Sequence, residues 1–435
     1  MSAEEKKLSL PTDDFNKKWY WDFRKNAWYC LRCNNCKWID NWEVKDARFA
    51  RICPSNAYYL FDTYAAQGRM DVSLGLIDGD LKYEDDPEIL DILYACNTCG
   101  GCDVMCKGVH DMSPINVILE MRAKMVGDGQ LLPQYMPILE SLRKEDNAMM
   151  GRKADRGRWA EGLGIKNLAE QSAEVAFFVG CRFSFDEELW KVPRTVAEIM
   201  RDAGVDFGIM GKDENCCGAR PAQMGYQGEF TKYAENNIDA WKNAGVKTVV
   251  TACSDGYYAM KRLYPEVGSK VEVLHMVEFL ARLIAQGKIK LDRKLPMRVT
   301  YHDPCHLGRR LSQAISVFNP AERSMGIYET PRDIIKAIPG VELVEMFRNR
   351  ECAWCCGAGG GVIDTYPDFN RYTAGQRILE AKETGAEAIV TACPWCERSL
   401  GDAITEMGEK IKVIDIVELV DSARQRGGKT NALRR

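Results

Sequence analysis

The sequence predicts a multidomain α+β protein, with a mainly helical N-terminal region followed by two repeated α/β domains. Two compact cysteine runs lie before residue 110, and several segments of the second half recur at a nearly constant shift. Short β-branched stretches alternate there with helical periods. Strands that alternate with helices are typical of a parallel sheet covered by helices.

The composition is that of an ordinary globular protein. The 435 residues carry a net charge of -4, with 46% apolar and 28% charged residues, which gives no reason to expect a nucleic-acid partner. No apolar run reaches the roughly 18 residues of a membrane span, and Met1–Leu8 lacks the apolar core of a signal peptide. We therefore expect a cytoplasmic protein, peripheral to a membrane only through its partners.

Cysteine is the unusual component, with eighteen residues in tight groups. In a reducing compartment such groups indicate metal binding or redox chemistry. Two runs have the form Cys-x2-Cys-x2-Cys, whose short spacers turn successive thiolates toward three corners of a cubane. In two-cluster ferredoxins the fourth cysteine of each run binds the other cluster.

On this rule the N-terminal region, 1–168, is a ferredoxin-like domain with two [4Fe–4S] cubane clusters. The ligands of one cluster are predicted to be Cys30, Cys33, Cys36 and Cys106. The ligands of the other are predicted to be Cys96, Cys99, Cys102 and Cys53. A pair of structural zinc sites is the alternative, but zinc sites normally pair two Cys-x2-Cys units. The insert between the runs is predicted to be helical over 55–67 and 87–94.

Five tryptophans lie around the first run. They are interpreted as an apolar shell for the cluster, as part of the core, or as a docking face for a partner. They are Trp19, Trp21, Trp28, Trp38 and Trp42.

The second half contains a duplication. Lys247–Cys253 matches Glu387–Cys393 at a shift of 140, and Val271–Leu280 matches Ile411–Val420 at the same shift. Internal repeats of this kind outweigh single motifs. They predict two homologous domains, 172–292 and 297–425, before a basic tail, 426–435. The predicted strands lie at 174–179, 248–251, 298–301 and 388–391.

Each repeat places cysteines just after strand ends, so the thiols should meet at the carboxyl edge of a sheet. The second repeat has five: Cys305, Cys355, Cys356, Cys393 and Cys396. The first repeat has four: Cys181, Cys216, Cys217 and Cys253. Its fifth position is Gly256. Adjacent cysteines suit an iron–sulfur core less compact than a cubane, and Gly357 and 359–361 would let the backbone approach the metal. For the four-thiol set three alternatives stay open: a further cluster, a zinc ion, or no metal.

These motifs resemble the CCG-domain family, represented by the B- and D-type subunits of heterodisulfide reductase. The resemblance covers nearly the whole chain and is closest to the fused, D-type branch. In this family each complete five-cysteine motif binds a noncubane [4Fe–4S] cluster that cleaves a disulfide. The resemblance therefore implies one noncubane cluster in the second repeat, while Gly256 departs from the motif in the first.

The resemblance implies a component of a larger anaerobic oxidoreductase complex. Electrons would pass between the N-terminal cubanes and the noncubane cluster, and partner subunits would carry flavin, metal or quinone sites. Related subunits serve flavin-dependent 2-hydroxyacid and glycerol-3-phosphate dehydrogenases, and one accompanies tungsten-dependent benzoyl-CoA reductases. The alternatives are a catalytic disulfide reductase, acting at the noncubane site, and a zinc scaffold without redox activity.

Three further residues adjoin the second motif. His302 and His306 flank the segment before Cys305, where they could hydrogen-bond a cluster thiolate, relay protons or cap a loop. Cys352 stands outside both sets and is interpreted as a buried apolar thiol or a group near the cluster.

Overall fold

A computed structural model describes residues 24–40, 43–107, 112–311 and 326–425. Trp19, Trp21, Trp42 and the predicted tail 426–435 lie outside the described residues. Among the helices in these ranges, none has the length and apolar character to cross a bilayer.

The N-terminal region is helical in its described part. Its helices are Pro54–Tyr59, Ala66–Asp78, Glu88–Tyr94, Gly101–Lys107, Pro114–Gly127 and Met136–Glu145. The prediction of one helix over 55–67 is wrong. Leu60 takes a left-handed φ of 59° and ends the first helix, and the rings of Tyr59 and Tyr64 stack across the break at 4.0 Å. This aromatic contact and the left-handed residue favour a turn over a continuous helix.

The first repeat forms a parallel sheet. Its strands are β1 (Lys166–Asn167), β2 (Val175–Phe178), β3 (Phe207–Ile209), β4 (Thr248–Thr251) and β5 (Glu272–His275). Their order is β1-β3-β2-β4-β5, and every pairing is parallel. The helices around this sheet are Cys181–Phe185, Lys191–Asp202, Ala219–Met224, Gln227–Asn243, Ser254–Tyr258 and Met276–Ala285.

The second repeat forms a parallel sheet of β6 (Met297–Tyr301), β7 (Val341–Leu343), β8 (Ala388–Thr391) and β9 (Lys412–Asp415), in the order β7-β6-β8-β9. Its helices are Glu329–Lys336, Val362–Thr365, Pro367–Glu383, Pro394–Met407 and Ile416–Ala423. This strand order reproduces β3-β2-β4-β5, with β1 as an added edge strand. The predicted α/β architecture with two repeated units is therefore confirmed.

The last helix of each repeat begins in the same way. His275 accepts a hydrogen bond from the Val277 amide and pairs with Glu278, and Asp415 makes the same capping box with Val417 and Glu418. A side-chain acceptor at this position satisfies an amide that the helix leaves free. The segment matched at a shift of 140 thus encodes a strand and a capped helix.

The repeats pack against each other reciprocally. Helix Met276–Ala285 of the first repeat contacts helix Glu329–Lys336 of the second, and helix Ile416–Ala423 of the second contacts Lys191–Asp202 of the first. These are equivalent elements with the repeats exchanged, as expected of units related by an approximate two-fold axis. One hydrophobic core includes buried residues of both sheets, such as Val250 and Val390.

Candidate metal centres

The two triple-cysteine loops share a backbone pattern. Arg32 and Asn34 take left-handed φ angles of 56° and 69° in the first loop. Thr98 and Gly100, at the equivalent positions of the second loop, have φ angles of 50° and 73°. Left-handed residues reverse the chain sharply. They allow the cysteines of each loop to face a common centre, although three of the four positions are not glycine.

The first predicted ligand set comes together in the structure. Cys36 lies beside Cys30 and Cys33, and Cys106, from helix Gly101–Lys107, lies beside Cys30 and Cys36. Burial raises the pKa of Cys36 and raises that of Cys106 to about 12. Cys33 is the exposed member of the set. The cysteine from the second run thus lies beside the first run.

The second predicted ligand set lines a single cavity. Cys53, Cys96, Cys99 and Cys102 surround it together with Ile118 and other apolar residues. Burial raises the pKa of Cys53 to about 12 and that of Cys102 well above its usual value. Cys53 stands immediately before helix Pro54–Tyr59, whose first residue is proline.

The donor chemistry of both N-terminal sets suits an iron–sulfur cluster. Each set consists of four crowded sulfur donors in largely buried surroundings. Burial raises the pKa of Cys36 and Cys106 in one set and of Cys53 and Cys102 in the other, so a bound cation would be needed to hold these thiols as thiolates. Whether these cysteines bind cubanes stays a prediction.

The five cysteines of the second repeat also converge. Hydrogen bonds between thiols connect Cys305 to Cys355, Cys355 to Cys356, Cys356 to Cys396, and Cys396 to Cys393. Cys305 follows β6 and Cys393 follows β8, so both lie at the carboxyl ends of adjacent parallel strands. The set is an all-sulfur donor group, and thiolate sulfur is the usual ligand of an iron–sulfur cluster.

Histidine nitrogen is close to this thiol set. The donor atoms of His302, Cys356 and Cys396 lie within 4.8 Å of one another, and all three residues are buried. His302 hydrogen-bonds Cys356. On the other side of the set, His306 Nδ1 lies 3.4 Å from Cys305 Sγ. Both histidines therefore contact a thiol, as the hydrogen-bonding alternative expects.

Three cysteines of the first repeat lie together, and a buried ion pair lies beside Cys181. Cys181 hydrogen-bonds Cys216, which also contacts Cys217. Arg156 Nη2 lies 3.5 Å from Cys181 Sγ and 2.9 Å from a carboxylate oxygen of Glu214. The hydrogen bond from Cys216 and the charge of Arg156 lower the pKa of Cys181 to about 6.

Gly256 occupies the place of the missing fifth cysteine. A Cβ at this position would lie 3.8 Å from Cys217 Sγ and 3.6 Å from the Met260 methyl group, ordinary contact distances. The corresponding pair in the second repeat, Cys396 and Cys356, is hydrogen-bonded. The first site therefore lacks one sulfur donor in a position with room for a side chain.

The N-terminal region contacts the second repeat at its thiols. Cys99 hydrogen-bonds Cys355, and this bond lowers the pKa of Cys99 to about 5. Arg309 Nε donates to the Cys99 carbonyl at 2.6 Å, and its Nη1 donates to the carbonyls of Glu351 and Ala353 at 3.0 and 2.6 Å. The two predicted clusters therefore have ligands in direct contact.

Gly359 and Gly360 allow the second cysteine loop to lie close to the second repeat. A Cβ at Gly359 would collide with the Asn97 carbonyl, and one at Gly360 with the Cys96 carbonyl. The approach that these glycines permit is thus to the second cysteine loop. Close by, Asn97 Nδ2 donates to the Gly357 carbonyl at 2.6 Å.

The two repeats contact one another through equivalent positions near their sites. His306 Nδ1 lies 3.0 Å from Asp255 Oδ1, and the guanidinium of Arg182 lies 4.5 Å from the ring centre of Trp395. His306 and Arg182 both follow the first cysteine of their repeat, and Asp255 and Trp395 are also equivalent. Burial alone would lower the pKa of His306, but the charges of Asp255 and the Cys305 thiolate raise it well above its usual value.

A thiol pair lies at the centre of this interface. Cys253 of the first repeat hydrogen-bonds Cys393 of the second. These residues are equivalent at the shift of 140, so an approximate two-fold axis would pass between them. The two cysteine-rich sites consequently adjoin.

Two buried arginines were missed by sequence reasoning. Arg156 and Arg309 each bring a guanidinium beside the first cysteine of a repeat, Cys181 or Cys305. Arg309 belongs to the repeat, but Arg156 comes from the segment before it. A lone arginine in an irregular segment carries no motif, so the sequence offered no signal for Arg156.

The remaining expectations concern packing. Cys352 is buried among Ile39, Val44, Phe49 and Ile52, in agreement with the apolar alternative. Trp28 and Trp38 are 61% and 44% exposed beside the first cysteine run, which excludes a core role for them.

The sequence matches the cysteine-rich domain family, CCG, over residues 175–261 and 299–401. The D-type component of the dihydromethanophenazine:CoB–CoM heterodisulfide reductase of Methanosarcina mazei is 30% identical over 408 residues, covering 91% of this chain and 93% of that protein. The probable iron-sulfur-binding oxidoreductase FadF of Bacillus subtilis is 31% identical, covering 82% of this chain and 49% of that protein. The EtfAB:quinone oxidoreductase of Syntrophomonas wolfei is 29% identical, covering 77% of this chain and 46% of that protein.

Among solved structures, a hypothetical protein from Helicobacter pylori has a TM-score of 0.53 at 9% identity, covering 93% of this chain and 75% of that chain. At this identity the likeness concerns the fold alone.

Proposed function

Because the chain belongs to the family of the D-type heterodisulfide reductase subunits, we propose that it relays electrons within a larger oxidoreductase complex. The coarse role, an iron–sulfur component of an oxidoreductase, is common to its relatives. The finer proposal is a route between two N-terminal cubane clusters and a noncubane cluster in the second cysteine-rich domain. Iron–sulfur clusters supply one-electron transfer at potentials set by charge, hydrogen bonds and solvent exposure.

The contact between Cys99 and Cys355 carries this proposal. Cys99 belongs to the cavity-lining N-terminal set, and Cys355 belongs to the five-thiol set. A relay needs adjacent sites whose relative position is fixed. Arg309 fixes it by hydrogen-bonding backbone carbonyls on both sides of the contact.

The proposed ligands follow the sets that the structure assembles. One cubane takes Cys30, Cys33, Cys36 and Cys106; the other takes Cys53, Cys96, Cys99 and Cys102; the noncubane cluster takes Cys305, Cys355, Cys356, Cys393 and Cys396. We further propose that Cys181, Cys216, Cys217 and Cys253 bind metal. Arg156 supports this last assignment, because its buried positive charge favours thiolates at the site.

The first N-terminal set is proposed to face the partner. Cys33 is exposed, whereas the cysteines of both repeats are buried or half-buried. A protein that delivers or accepts electrons would approach most closely here. The partners are proposed to be subunits that carry flavin, metal or quinone sites, in line with relatives named as oxidoreductases or their components.

A catalytic disulfide reductase is the second candidate. The relatives named as D-type components of heterodisulfide reductase favour it, as does the Cys253–Cys393 contact, which brings the two cysteine-rich sites together. An iron–sulfur component of a flavin-dependent dehydrogenase is a form of the relay proposal that differs only in its partner.

Metal analysis of anaerobically purified protein tests the proposal. Two cubanes and one noncubane cluster correspond to about twelve irons and twelve sulfides per chain. Low-temperature EPR of oxidised and reduced samples should then separate two cubane signals from a third species. About eight irons with zinc present would contradict the relay into the second domain. Turnover of a disulfide by the isolated chain with reduced viologen would favour the catalytic candidate.

A further inference from the structure

We propose that His302 is a positioning residue that donates a fixed hydrogen bond to Cys356 and thereby raises the reduction potential of the second cysteine-rich site. The inference rests on the proposed function, because it needs a redox cluster at that site.

The contacts of His302 determine its tautomer. Arg377 Nε donates to His302 Nδ1 at 3.1 Å, and both side chains are buried. Arginine is a donor only, so Nδ1 must be the accepting nitrogen. With Nδ1 accepting, the ring proton lies on Nε2, the nitrogen that remains for Cys356. In this orientation His302 is an N–H donor to sulfur.

Arg377 is itself held by a buried network of hydrogen bonds. Its Nη1 donates to Glu380 Oε2 and to the Arg348 carbonyl, both at 2.8 Å. Glu380 accepts from the Arg348 amide at 2.6 Å, and Arg348 Nη1 donates to the Arg51 carbonyl at 2.8 Å. The two arginines and one carboxylate of this network carry one net positive charge. The network extends from the backbone of Arg51, two residues before Cys53, to the second site.

The first repeat lacks this arrangement. The residue equivalent to His302 is Phe178, which offers no polar hydrogen. The donor near the first site is the charged Arg156, at 3.5 Å from Cys181. Hydrogen bonds to cluster sulfur favour the reduced, more negative state. The second site therefore has a histidine N–H that the first repeat cannot offer at the equivalent position.

Two substitutions test the inference in the full chain. His302→Phe installs the residue of the first repeat and removes the donor, whereas His302→Gln keeps an N–H donor of similar reach. H302F should retain the iron and sulfide content and lower the midpoint potential of the second-site EPR signal. We expect a tenfold change in the oxidised-to-reduced ratio at fixed potential, about 59 mV for one electron. H302Q should shift the ratio less than H302F.

A spectroscopic signature accompanies the shift. The second-site signal of the wild type should show a coupling to one exchangeable proton that disappears in D2O and in H302F but persists in H302Q. The N-terminal cubane signals serve as the internal control for folding and should not change.

The inference is overturned by an unchanged midpoint in H302F with full iron content, or by the absence of the proton coupling in the wild type. Loss of about four irons in H302F alone would instead identify His302 as a metal ligand and also overturn it. A wild type without any second-site signal would refute the proposed function itself, so the two failures are distinguishable.

Discussion

At position 256 the first repeat carries glycine where the second carries Cys396, and the structure places both residues against the adjacent-cysteine loop. This difference was visible in the sequence because the repeats align. Its surroundings were not visible: a Cβ at Gly256 would fit beside Cys217, and Arg156 places a positive charge beside Cys181. One thiol therefore distinguishes two otherwise similar donor sets.

A reciprocal pair of substitutions tests this residue. Gly256→Cys should complete the first five-thiol set and raise the iron content by about four per chain, because its Cβ would lie 3.8 Å from Cys217 Sγ. Cys396→Gly should lower the iron content by about four, since it gives the second site the composition of the first. Iron and acid-labile sulfide are counted after anaerobic purification. An unchanged count in both variants would show that the fifth position does not control occupancy.

At the scale of elements, each repeat ends in a strand and a capped helix, but the two caps have different chemistry. His275 caps the first helix as a neutral ring, and Asp415 caps the second. Burial lowers the pKa of His275 from 6.5 to about 3. The periodicity of the sequence predicted the elements, whereas the burial of the cap depends on how the repeats pack.

The cap of the first repeat predicts a pH dependence. The folded pKa of His275 lies below the unfolded value, so unfolding takes up a proton once the pH falls below 6.5. Stability should decline as the pH falls from about 6.5 toward 3, by up to about 1.4 kcal/mol per pH unit. His275→Asn keeps an N-cap acceptor and does not titrate. Thermal unfolding at pH 7.5 and 5.5 should show a smaller decline in the variant; equal declines would contradict this origin.

At the scale of the whole molecule, one buried arginine ties the N-terminal region to both repeats. Arg122 donates to carbonyls of the N-terminal region, at Leu93, Tyr94 and Cys96. It also donates to the Gln223 carbonyl of the first repeat at 2.9 Å and to the Gly360 carbonyl of the second at 3.1 Å. This arrangement holds the second cysteine loop against the repeats, which the proposed relay requires.

Replacing Arg122 by methionine should destabilise the molecule. Several buried carbonyls would lose their donor, at about 1–3 kcal/mol each before relaxation. We expect a loss of about 3 kcal/mol or more, seen as a lower unfolding temperature and faster limited proteolysis of the N-terminal region.

Arg371→Met is the matched control for this experiment. Arg371 forms an exposed ion pair with Asp368, and such a pair contributes at most about 1 kcal/mol. Equal effects of the two substitutions would contradict the role assigned to Arg122.

The sequence by itself determined the cysteine sets, the duplication and the parallel α/β architecture, because spacing and periodicity are local properties of the chain. It also identified Gly256 as the difference between the repeats. Only the tertiary structure decided that Cys99 meets Cys355, that Cys253 meets Cys393, and that Gly359 and Gly360 adjoin the second cysteine loop. It likewise placed Arg156 and Arg377 beside their partners. These contacts join residues far apart in the chain, and their partners follow from packing, which no local pattern encodes.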